Sequence, residues 1–181
     1  MEKWQNFYLQ RMGTDGNNVA YPVCESVSTW GIWCKDIPFK LMEKVKEPAK
    51  RSWFDEHGDD EYIPAGGLYA DAYTMKVEFG CKKTSTSTGV RERVGTFLSY
   101  LRTSGMLKMY SSYTRIGRQD VRFDSVSDSA KWESDVTVTT SGNTTTYTGD
   151  EFLIFEVTFK VNDPVTDVVL SAPSTSSTSS T

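Results

Sequence analysis

Residues 73–81 alternate strictly, with Tyr73, Met75, Val77, Phe79 and Cys81 on one side and Thr74, Lys76, Glu78 and Gly80 on the other. That is the two-residue period of a strand with one buried face. After a polar linker at 82–89 the period lengthens. Val90, Val94, Phe97, Leu98 and Leu101 recur at helical spacing, which predicts a helix over about 88–104 with Arg91, Glu92, Arg93 and Arg102 off its apolar stripe. Thr86, Ser87 or Thr88 supplies the N-terminal cap, and Gly105 stands where a left-handed residue ends a helix. A helix apolar on one side only needs a sheet to lie on.

The rest of the pattern is mostly strand. Trp4, Phe7, Tyr8 and Leu9 mark a first strand, and 13–18 is a glycine and asparagine turn. Residues 19–33 read as one or two strands, because Val27 to Trp33 is aromatic and β-branched. Shorter strands follow at 106–110 and around Val121 and Phe123. Val136 and Val138 lead through Gly142 and Asn143 into 144–148, which includes Tyr147: a threonine-rich hairpin. In 152–161, Leu153, Phe155, Val157, Phe159 and Val161 share a face. The predicted class is α+β, mainly β: a β-sandwich or rolled antiparallel sheet with one flanking helix. Residues 1–170 form one domain, and 171–181, almost wholly serine and threonine, are expected to be disordered.

Residues 35–67 break the pattern. Pro38, Pro48 and Pro64 punctuate them, and Phe39, Leu41, Met42 and Val45 predict a short strand or a turn of helix before Pro48. An acidic run of Asp55, Glu56, Asp59, Asp60 and Glu61 surrounds His57. Long ordered loops in small domains are usually functional, and Trp53, Phe54, Tyr62 and Ile63 are anchors that a merely solvated linker does not need.

Composition narrows the chemistry. A chain of 181 residues has core enough to fold without metal or disulfide, and three cysteines without C-x-x-C spacing argue against both. The N-terminus has no signal-peptide pattern, and no apolar run reaches the ~20 residues of a membrane helix, so a soluble protein made in a reducing cytoplasm is expected. One histidine excludes multi-histidine metal sites, and the acidic run lacks the order of a calcium loop, so it reads as a solvated or subunit-facing loop. Cys34 and Cys81 lack the setting of a nucleophile; Cys81 reads as a small core residue. No catalytic motif, cofactor or metal site is expected, and no enzymatic activity. Arg115, Arg118 and Arg122 read as a basic stripe on a strand, facing an outer wall or an interface. The net charge of −4 does not attract nucleic acid.

The order of elements, and strands of the type Tyr73-Thr-Met-Lys-Val-Glu-Phe79 before the helix and Phe155-Glu-Val-Thr-Phe-Lys160 closing on Asp163-Pro164, resembles the tail-tube fold of bacteriophages. It is most similar to the N-terminal ring domain of distal tail (hub) proteins, over about 19–164. The resemblance implies a structural virion protein, assembled in the bacterial cytoplasm as a homohexameric ring. Strands of six subunits would line a channel that DNA passes through without being specifically bound. Many distal tail proteins add a galectin-like domain, whereas the sequence here ends soon after Pro164, so a minimal distal tail protein, a tail-tube subunit and a terminal ring are all expected to fit. Trp53, Phe54, Asp55, Glu56, Asp59, Asp60, Glu61 and Tyr62, with Val136, Val138 and Tyr147 of the hairpin, are then the expected contacts with other subunits or neighbouring tail proteins. The alternative is a β-sandwich module binding carbohydrate or protein through surface aromatics such as Trp30, Trp33 and Trp53.

Overall fold

Two long strands form the spine. Strand β6 (Tyr73–Lys82) runs antiparallel to β12 (Glu151–Val161), in register from Tyr73 opposite Val161 to Lys82 opposite Phe152. Directly opposed residues share a face of a sheet, so the two alternating patterns coincide. Tyr73, Met75, Val77, Phe79 and Cys81 are buried with Leu153, Phe155, Val157, Phe159 and Val161. The other face is polar, and Lys76 Nζ meets Glu156 Oε1 there at 3.1 Å.

The computed structural model describes residues 4–42, 44–55, 57–82, 89–127, 130–134, 137–142, 144–148 and 151–171. Among these, the remaining strands are β1 (Phe7–Arg11), β2 (Val23–Glu25), β3 (Ile32–Cys34), β4 (Ala49–Arg51), β5 (Asp60–Tyr62), β7 (Met106–Ser111), β8 (Gly117–Val126), β9 (Lys131–Ser134), β10 (Thr137–Ser141) and β11 (Thr144–Thr148). The large sheet has the order β2-β1-β7-β8-β12-β6-β3, all antiparallel, with β9 beside the start of β12. Its ends meet: Gln5 and Cys34 exchange both backbone N–H···O bonds at 2.8 Å, which ties β3 to the segment entering β1. The fold is α+β and mainly β, in the form of a rolled sheet.

Helix α2 (Val90–Thr103) lies against the buried face, with Val90, Val94, Phe97 and Leu101 turned inward. The Phe97 ring is 5.4 Å from Phe79, 5.3 Å from Trp30, 6.1 Å from Phe7 and 6.3 Å from Phe155, so one side chain joins β6, β1, β12 and the segment before β3. Gly105 has the left-handed φ of 67° expected after the helix. The expected caps Thr86, Ser87 and Thr88 lie outside the described residues, and the N-cap position is Gly89, which makes no side-chain bond.

The reading of 27–30 as strand is corrected, whereas Ile32 and Trp33 do lie in a strand, β3. Residues Ser26–Trp30 form a short helix, α1, opened by the Glu25 carboxylate accepting the Ser28 N–H at 2.9 Å and closed by Gly31 at φ 63°. This local capping turns Trp30 into the core, where it is 5% exposed, and removes it from the surface aromatics.

The arginine stripe is also corrected. The β7–β8 pairing shifts register between Leu107 and Met109, and Asp120 has a φ of 50°. The extra residue inverts the alternation. Arg118 thus lies on the buried side, 6% exposed, bonded to Asp167 and to the carbonyls of Gly117 and Lys40, whereas Arg122 is outside on Asp124 at 2.9 Å.

After β12 the chain returns along β8 as a strap. Asp163 opens it: burial works against its charge, but bonds from Gln119, Thr166 and Val165 outweigh this and hold the carboxyl at about 2. The Val168 N–H bonds to Gly117 O, and Leu170 is buried. A Cβ at Gly117 would run into the Val168 carbonyl. Gly117→Ala is therefore expected to lower stability by about 1–3 kcal/mol and to expose the strap amides to faster exchange. An unchanged urea midpoint would contradict that packing.

Candidate interaction surface

The excursion between β3 and β6 divides in two. Ile37 and Phe39 enter the core, while Leu41 and Met42 are exposed, and among the described residues the expected short strand or turn of helix before Pro48 does not form. From residue 44 the chain stands out as an arm. Val45 bridges Ala70, with the Lys46 N–H bonded to Tyr69 O at 2.7 Å and the Asp71 N–H to Lys44 O at 2.8 Å. Farther out, Ala49, Lys50 and Arg51 pair with Tyr62, Glu61 and Asp60. What reads in the sequence as a loop is a two-stranded arm, with its own ladder separate from the large sheet.

Phe54 is wholly exposed, Trp53 is 43% exposed, and Tyr62 and Ile63 are also in solvent. Within one chain none of them is a buried anchor. Trp53 is held by the Arg51 guanidinium over its ring at 4.4 Å. Asp59 meets Lys50 at 3.4 Å, and Asp55, Asp60 and Glu61 are exposed nearby. Glu56 lies outside the described residues.

The second expected contact, the hairpin β10–β11, is a separate two-stranded sheet with Val138 opposite Tyr147. Val136 lies outside the described residues. Each of the two hairpins thus has a ladder of its own, separate from the large sheet.

Other chemistry is sparse. Burial pushes the Cys34 thiol up to about 12 and raises those of Cys81 and Cys24, which keeps them protonated and poor nucleophiles. Among the described residues no three His, Cys, Asp or Glu side chains gather as a metal site, and no helix is long and apolar enough to cross a membrane. A surface groove of about 580 Å³ is lined by Trp4, Trp33 and Tyr113 together with Asn6, Glu25 and Ser112. A smaller cleft of about 370 Å³ at the arm's root is lined by Lys40, Lys44, Asp71, Thr74 and Lys160. Sequence reasoning missed both, since their residues are remote along the chain. Compared with protein-family models, with curated proteins and with solved structures, the chain has no match in any of the three.

Proposed function

We propose that this chain is a structural, non-enzymatic subunit of a phage or prophage tail, assembling as a hexameric ring around the path of the DNA. The observation that carries the reading is the pair of hairpins whose ladders are separate from the large sheet, one of them tipped with exposed Trp53 and Phe54. An isolated two-stranded hairpin is marginal in water, and exposed aromatics at its tip cost stability with no return inside one chain. Contacts with further copies supply what both lack. The arm and the surface it meets are different patches, so the contact is heterologous and closes as a ring or continues as a stack. The rolled sheet with a helix on one face is compatible with the tail-tube resemblance, and a net negative chain suits a channel that lets DNA pass without holding it. Assembly in the bacterial cytoplasm and residence in the virion follow from the same reading, with distal tail, tail tube and terminal ring as its possible positions.

A second reading has one observation in its favour. The groove lined by Trp4, Trp33 and Tyr113 combines aromatic and polar side chains, as sites that bind sugars or a peptide do. Mass in solution separates the two. A ring subunit sediments at six times the 20.4 kDa of one copy, or higher as rings stack. A concentration-independent monomer would overturn the ring and favour the binding module.

A further inference from the structure

The arm's tip and the cleft at its root carry opposite charge. Residues 52–63 hold five carboxylates and neither lysine nor arginine. Among the described residues the cleft is lined by Lys40, Lys44 and Lys160 and by one carboxylate, Asp71. These lysines come from three places in the chain: the approach to the arm, its first residues, and the end of β12. Their backbone is fixed. Arg118 bonds the Lys40 carbonyl at 3.3 Å, the Asp71 N–H bonds Lys44 O at 2.8 Å, and Lys160 stands opposite Thr74 in the β6–β12 ladder. Lys40 Nζ also lies 4.9 Å from the Tyr73 ring centre.

We infer that the acidic tip of the arm docks in the lysine cleft of a neighbouring copy of this chain. The inference rests on the proposed self-assembly and names the surface that receives the arm. Among the described residues, none of 52–63 lines the cleft of its own chain. From Val45, where the arm is bridged, to Trp53 is eight residues, up to about 26 Å at about 3.3 Å per residue, and the cleft is at the bridged end. The occupant is therefore another chain. Complementary charge steers the encounter and fixes register, and the exposed Trp53 and Phe54 supply the apolar contact beside it. A tip that fits only the root of the next copy gives every subunit one donor and one acceptor, as a closed ring or a stack requires.

The test is a charge exchange on the full chain, read by sedimentation. Lys44→Glu with Lys160→Glu makes the cleft acidic. Asp55→Lys, Glu56→Lys and Asp59→Lys leave two carboxylates beside three lysines in 52–63 and so make the tip basic, at positions outside the β4–β5 ladder. Each substituted protein alone is expected to associate more weakly, by roughly tenfold or more in dissociation constant. Mixed in equal amounts, they should recover association, because each then offers the other an opposite charge at both contacts and six is an even number. Recovery requires folded partners, so it is not reached by misfolding; Lys44→Glu alone, at an exposed position, checks the first protein independently. Raising salt from about 0.1 M to about 1 M, which shortens screening from about 10 Å to about 3 Å, should weaken the wild type as well. If the wild type assembles and the exchanged proteins assemble equally well, or their mixture gains nothing, the docking inference falls and the ring reading stands. If the protein with Lys44→Glu and Lys160→Glu loses only binding of added DNA, the cleft is a phosphate site and the inference also falls. A wild type that never assembles overturns both.

Discussion

Trp53→Ala combined with Phe54→Ala is expected to leave the fold unchanged and to abolish assembly at concentrations where the wild type is fully associated. Phe54 makes no packing contact that its truncation would remove, being wholly exposed in the single chain. Trp53 loses the stacked Arg51 guanidinium, a contact of about 0.5–1 kcal/mol at an exposed site. The intrachain cost is therefore small. At the centre of an interface the same two rings behave as anchors whose truncation costs about 2 kcal/mol each, roughly thirtyfold apiece in affinity. Thermal unfolding and sedimentation should accordingly separate, with an unchanged melting temperature of the dissociated chain and a lost high-mass species. A doubly substituted protein that unfolds would make the arm part of the core. One that assembles normally would remove the arm from the interface.

Phe97→Ala is expected to do the reverse, destabilising the chain by about 3–5 kcal/mol, a large part of the roughly 5–15 kcal/mol that holds a domain folded. The ring is completely buried and meets Phe7, Phe79, Trp30 and Phe155. No neighbour is free to collapse into the space, since those rings are themselves held by the sheet and by α1. Association should fail together with folding and return with it when the protein is stabilised by osmolyte. A urea midpoint shift corresponding to less than about 1 kcal/mol would mean that α2 is not fastened through this residue.

The parts that were legible share a physical feature, a pattern long enough to repeat. Ten residues of alternation in β6 and eleven in β12 specify their faces, and the stripe of α2 does so for the helix. Helix α1 has five residues, too few for a 3.6-residue period to show, and its Val27, Thr29 and Trp30 are types that favour strands. Arg118 was misplaced because one bulge inverts everything before it, and the positive φ of Asp120 has no signature in an aspartate. The arm was hidden differently. Its ladder is three residues on each side, all exposed, so neither strand shows an apolar alternation. Its aromatic and acidic content was visible, while the lysine cleft at its root required the end of β12 to be brought beside residues 40–44.

Electron microscopy of the purified, unmodified chain tests the central claim most directly. The account predicts class averages of a ring with sixfold symmetry and an open centre, alone or stacked coaxially. Particles the size of one chain, or closed dimers with twofold symmetry that leave the arms unengaged, would contradict it.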